Sequence, residues 1–155
     1  MADTGPLIAL ARLGLLGILP RLFGDILVPP SVLDECLASA RHLDGPPVRD
    51  ALSKGWLSLT DELVPLPVWN LGAGETSAIA VAQQRKAGVI LDDQAGRRIA
   101  GQLGLEVIGT AGILILAKRK GLIDQVAPHL DALTDSGYFL GSHLKMRILQ
   151  LAGEE

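Results

Sequence analysis

Acidic residues stand at four points where this chain passes into a helical pattern. Asp3 opens "DTGPLIAL", Asp34 and Glu35 follow "ILVPPSVL", Glu75 lies in "GAGETS", and Asp92 and Asp93 end "VILDD". Carboxylates gathered without His or Cys ligands form a hard-cation site, suited to Mg2+ or Mn2+. Such ions activate water and stabilise a phosphoryl transition state, so the chemistry they permit is metal-dependent phosphate or phosphodiester hydrolysis. Each acid alone also has an ordinary role, because Asp caps helices and Glu suits the first helical turn.

The positions discriminate further. Glu75 shares a helix face with Ala78, Ile79 and Ala82, an apolar face on which an unpartnered carboxylate is costly. Small neighbours, Ala73, Gly74 and Ala78, leave room there for another chain or a metal. Asp34 and Glu35 flank their apolar stripe about equally, but capping by Ser31 with Asp34 leaves Glu35 free. Asp92 and Asp93 follow a short buried strand at the carboxyl end of a sheet, where functional groups of parallel sheets collect. A glycine turn for a nucleotide is the alternative reading of "GAGETS". It lacks the third Gly, and Glu75 would repel a phosphate at the helix start.

Short apolar runs alternating with helical periodicity position these groups and indicate an α/β domain with a mostly parallel sheet. Strands are expected over Asp25–Pro29, Trp56–Thr60, Val89–Leu91 and Leu105–Thr110. Helices are expected over Pro6–Leu19, Ser31–Ala40, Val48–Lys54, Gly74–Lys86, Ala95–Leu103, Gly112–Lys120, Ile123–Ser136 and Ser142–Ala152. "HLDGPPVRD" reads as a loop, and Pro65 and Pro67 make an extended connector.

Bulk properties narrow the class. A length of 155 residues with 48% hydrophobic side chains suits one domain with its own core. Aromatic residues are only 3%, so that core must be aliphatic. A net charge of −3 argues against a global basic field that coats nucleic acid, though not against a local basic patch. Cys36 is the only cysteine, which excludes an internal disulfide and fits a reducing, cytoplasmic compartment. His42, His129 and His143 share no ligand spacing, so a zinc site is not expected. No signal peptide and no apolar run of membrane-spanning length is visible, and no membrane association is expected.

The ordered segments "DTGPLIALARLG", "ILVPPSVLDE", "LGAGETSAIAVA", "VILDDQAGRRIAGQLGLEVIGTAGILILAKRKGLI" and "DSGYF" resemble a PIN-like domain. Within that family they look most like the prokaryotic VapC-type branch with a Gly-x-Gly-Glu motif. The resemblance implies a single domain over residues 1–155, a Rossmann-like three-layer α/β/α sandwich with a mostly parallel central sheet. It further implies a ribonuclease using Mg2+ or Mn2+, the toxin of a toxin–antitoxin pair, with RNA as substrate, a small antitoxin as partner and a homodimeric state. Carried over by residue, the catalytic set is Asp3, Glu35, Glu75 and Asp93, and the metal set adds Asp92. Asp93 is preferred for the metal pole and Asp92 for the turn and cap, with the reverse order left open. Thr110 matches a position near the site, and Arg97, Arg98, Lys118, Arg119 and Lys120 are candidates to track RNA beside the acidic pole. Basic residues in "AKRKG" equally suit a helix C-terminus.

One departure stands out. The family has a full strand before its first Asp, whereas Met1 and Ala2 alone precede Asp3 here. A clipped first strand is therefore expected, weakening fold and metal affinity. It motivates an alternative, a catalytically silent module acting through antitoxin binding or dimerisation.

Overall fold

A computed structural model describes residues 1–38, 44–61 and 64–155. His42, and Ala40 at the expected helix end, lie outside the described residues. The elements, in chain order, are α1 (Thr4–Arg12), α2 (Ile18–Phe23), β1 (Leu27–Val28), α3 (Pro30–Leu37), α4 (Gly45–Ser53), β2 (Ser58–Leu59), α5 (Ala73–Arg85), β3 (Val89–Ile90), α6 (Gln94–Gln102), β4 (Val107–Ile108), α7 (Thr110–Arg119), α8 (Ala127–Asp135) and α9 (Ser142–Leu151).

Both strand pairs are parallel, β1 with β2 and β3 with β4. Met1 to Asp3 lies between the pairs. The Ala2 amide donates to Leu27 O at 2.9 Å, the Asp3 amide to Ile90 O at 3.0 Å, and the Ile90 amide to Met1 O at 2.7 Å. The order across the molecule is thus β2, β1, residues 1–3, β3, β4. The expected clipped strand is present as a single parallel bridge between Ala2 and Ile90.

Strand side chains alternate between two apolar clusters, as a two-residue period requires. Ile90 and Val28 pack with Leu10, Val32 and Ile113, while Val89 and Leu91 pack with Ala78, Ile79 and Ala100. A third cluster joins Ala9 and Leu114 to Leu130, Leu133 and Ile148 of the last two helices. At the far end of α1, the buried Asp44 accepts from Arg12 Nε and Nη2, each at 3.1 Å, tying α1 to the start of α4. No helix among the described residues is long and apolar enough to cross a membrane.

Several expected boundaries move for local reasons. The helix expected over Pro6–Leu19 breaks into α1 and α2 because Gly14 turns left-handed at φ 67. The amides of Gly14 and Leu15 then close α1 on Ala11 O and Leu10 O. Ser31 does not cap α3: the helix begins at Pro30, its first turn has no side-chain cap, and Ser31 Oγ is buried without a partner. Part of the expected loop "HLDGPPVRD" is helix, because Pro46 and Pro47 suit the first turn of α4.

The helix expected from Ile123 starts only at Ala127, where a distant residue decides the start. Glu154 accepts from the amides of Val126 at 2.6 Å and Ala127 at 2.9 Å, and from Lys118 Nζ at 2.8 Å. Burial alone would raise this carboxyl, but the Lys118 ammonium and the two amides reverse that and bring it down to about 2. A carboxyl lowered on folding contributes stability above its ordinary pKa, and the contribution disappears as pH falls from about 4.5 through about 2. Glu154→Ala should therefore cost roughly 1 kcal/mol near neutral pH, as loss of a cap does. Urea unfolding at pH 7 and pH 2.5 checks this, and the difference between the two proteins should shrink at the lower pH.

Candidate active site

The carboxyl ends of residues 1–3, β1 and β3 deliver the acids to one pole. Asp3 follows the central bridge directly and is 4% exposed. Glu35 rides on α3 after β1, Glu75 sits in the first turn of α5, and Asp92 and Asp93 follow β3. Asp3 and Glu75 both feel the charge of their neighbours there. Asp3 is pushed up to about 7 by burial, opposed by the Thr4 amide and reinforced by Glu75, Glu35 and Asp92. Glu75 is raised by burial, opposed by the Gly72 amide and reinforced by Asp93 and Glu35.

Hydrogen bonds fix the others. Glu35 accepts from Thr4 Oγ1 at 2.5 Å and from the Gly74 amide at 2.8 Å. The small residue Gly74 in the first turn of α5 thus makes room for Glu35 itself, since a Cβ there would lie 2.5 Å from Glu35 Oε2. Glu75 accepts from the Gly72 amide at 3.1 Å. These two carboxylates occupy amides at the start of α5, which leaves a phosphate no place in a glycine turn there.

The doubled aspartate divides its work, and the capping part is the reverse of the preferred order. Asp93 is the cap: its Oδ2 accepts from the Gly96 amide at 2.7 Å at the start of α6. Asp92 turns toward α7 instead. Its Oδ1 accepts from the Thr110 amide at 2.7 Å, and its Oδ2 from Thr110 Oγ1 at 2.6 Å and Tyr138 Oη at 3.0 Å. Burial and the Asp92 charge together push the Tyr138 phenol up, so it stays a donor. Cys36, the one thiol, is pushed up to about 12 by burial and by Asp3, Glu35 and Asp44. A thiolate nucleophile is thereby excluded at neutral pH.

The basic candidates scatter. Arg97 holds the site's rim, donating from Nη1 to Leu91 O at 3.0 Å, and Arg98 is exposed on the same helix. Lys118 is spent on Ala152 O and Glu154, each at 2.8 Å. Arg119 and Lys120 end α7, about 15 Å along the helix from Thr110 by its rise per residue. They lie away from the acidic pole, in the place where a helix C-terminus favours positive charge. Thr4 and Tyr138 were missed by sequence reasoning. Their signal was membership of the family-like segments "DTGPLIALARLG" and "DSGYF", which did not single them out.

The donor set suits a hard divalent cation. Asp3 Oδ1 is buried with no hydrogen-bond partner, and no Lys or Arg among the described residues pairs with these five acids. Among the described residues, no three acids, His or Cys converge closely enough to hold an ion as they stand.

The family model DUF3368, a PIN domain, matches residues 1–154, and the chain belongs to that family. No curated protein and no solved structure matches the chain. PIN domains have an α/β fold and are commonly metal-dependent nucleases.

A carboxyl raised on folding has the opposite pH sign to Glu154. Asp3 is ionised above about 3.8 in the unfolded chain but keeps its proton to about 7 in the folded one. Without metal, stability should fall as pH rises through that window. Denaturation in EDTA at pH 5 and pH 8 should show the loss in the wild type and not in Asp3→Asn. Added Mn2+ should restore the wild type at pH 8, and do so less in Gly74→Ala, where Glu35 is displaced.

Proposed function

We propose that this PIN-domain chain hydrolyses RNA phosphodiester bonds with Mg2+ or Mn2+ and is the toxin of a VapC-type toxin–antitoxin pair. The observation that carries the chemistry is the buried Asp3, whose Oδ1 has no hydrogen-bond partner, among four further acids with which no Lys or Arg of the described residues pairs. Asp3, Glu35, Glu75 and Asp92 would hold the ion, with Asp93 beside them at the start of α6. When bound, the ion activates water and offsets the charge that grows on the phosphate oxygens.

The chain's own residues supply placement. Thr110 and Tyr138 fix both oxygens of Asp92, and Thr4 and the Gly74 amide fix Glu35. Asp3 must give up its proton when a cation arrives, so loading grows easier as pH rises toward and past about 7. Arg97 and Arg98, on the helix that Asp93 caps, are placed to meet the RNA backbone. Apolar strand residues that alternate between two helix-covered clusters support the Rossmann-like three-layer arrangement. The antitoxin, the homodimer and the cytoplasmic setting rest on the family likeness and on the lone buried Cys36.

Mn2+-dependent cleavage of single-stranded RNA tests this reading. Asp3→Asn, Glu35→Gln, Glu75→Gln and Asp92→Asn should each lower kcat about 100-fold or more. Tyr138→Phe should lower it roughly tenfold, as loss of an outer-shell partner does. Arg119→Ala and Lys120→Ala should stay near the wild-type rate. The first strand, reduced to a single bridge at Ala2, motivates a second reading, a catalytically silent module. Calorimetry separates the two: no Mn2+ uptake at millimolar concentration selects the silent module.

A further inference from the structure

We infer that the cavity beside Asp92 is a subsite for one unpaired base of the RNA strand, with Phe139 as its stacking platform. The assignment rests on the ribonuclease reading. The cavity encloses about 720 Å³ and shares Asp92 and Thr110 with the acidic pole. A strand whose phosphate lies at the pole therefore brings a neighbouring base to the cavity mouth.

The lining matches the chemistry of a base. Apolar side chains of α8 and α9 make the floor, and the remaining polar groups are few: Gln94, Arg97 and the Tyr138 hydroxyl. A nucleobase has flat apolar faces and a polar edge, and single-stranded RNA is read by stacking on aromatic rings and by hydrogen bonds to that edge. Phe139 lines the same cavity and is 92% exposed, while its neighbour Tyr138 is anchored on Asp92 at 3.0 Å. The ring is thus presented at the mouth by a fixed residue. An apolar protein segment in the cavity would desolvate Gln94 and the part of the Arg97 guanidinium not bonded to Leu91 O, a cost that a base edge avoids. A paired base cannot enter, so the subsite selects single strands.

Steady-state cleavage of a single-stranded RNA in Mn2+ by the full chain, with anisotropy binding in EDTA alongside, tests the subsite. Phe139→Ala should raise KM about tenfold, the order expected for one lost base–aromatic stack. Phe139→Trp should restore KM and Phe139→Leu should not. An abasic nucleotide next to the cleaved bond should reproduce the loss in the wild type and add nothing to Phe139→Ala. If the wild type cleaves RNA and all three variants share its KM, the subsite is wrong and the ribonuclease reading stands. If the wild type neither binds nor cleaves RNA, both fall. If Phe139→Ala instead splits a dimer seen by light scattering, with KM unchanged, the face is a protein contact and the base subsite is overturned.

Discussion

Four main-chain hydrogen bonds through Met1, Ala2 and Asp3 link the two strand pairs of the molecule. Among the described residues, β1 and β2 pair only with each other, as do β3 and β4, and the first three residues reach both. The same backbone that closes the sheet carries Asp3 out at its carboxyl end. The acid has no freedom to swing away from its neighbours, because its own amide is committed to Ile90. Burial and repulsion at the pole follow from this placement. The strain is electrostatic rather than steric, which is why a cation relieves it and a hydrogen-bond donor only partly does.

The rest of the pole is arranged around that fixed charge. Glu35 and Asp92 each accept two or more hydrogen bonds from residues distant in sequence, whereas Glu75 and Asp93 each bond an amide three residues away. The first pair is held by tertiary structure and the second by helix starts. Such a mixture lets the outer acids keep their places without metal while Asp3 bears the cost of burial. Tyr138 and Thr110 extend the same support to the rim, where α7 and the segment before α9 meet.

Local periodicity made most elements legible in the sequence; some boundaries shifted at local turns such as Gly14, and the errors at the site came from distant partners. Gly74 to Arg85 is read correctly because its apolar spacing and small residues act within a few turns. The start of α8 is not legible, since Glu154 supplies its cap from the far end of the chain. Asp92 and Asp93 could not be told apart for the same reason: the choice depends on Thr110 and Tyr138, which periodicity does not connect to them. Lys118 looked available for RNA because its partner, Glu154, lies in a terminal stretch with no motif. The positions of Asp3, Glu35, Glu75 and the Asp92–Asp93 pair at one pole were anticipated from the rule that parallel sheets gather function at their carboxyl ends. The hydrogen bonds that orient them were not.

The bridge between Ala2 and Ile90 also constrains the order of assembly. Its two residues are far apart in sequence, and contacts of that kind form late because the loop between them must first be closed. The helices can form from neighbours alone, and β1 and β2 can pair without the first residues. Burial of Asp3 is therefore tied to closure of the sheet, since the same residues make both. An acidic pole built this way is absent from partly folded chains: whatever the site binds, it binds only after the domain is complete.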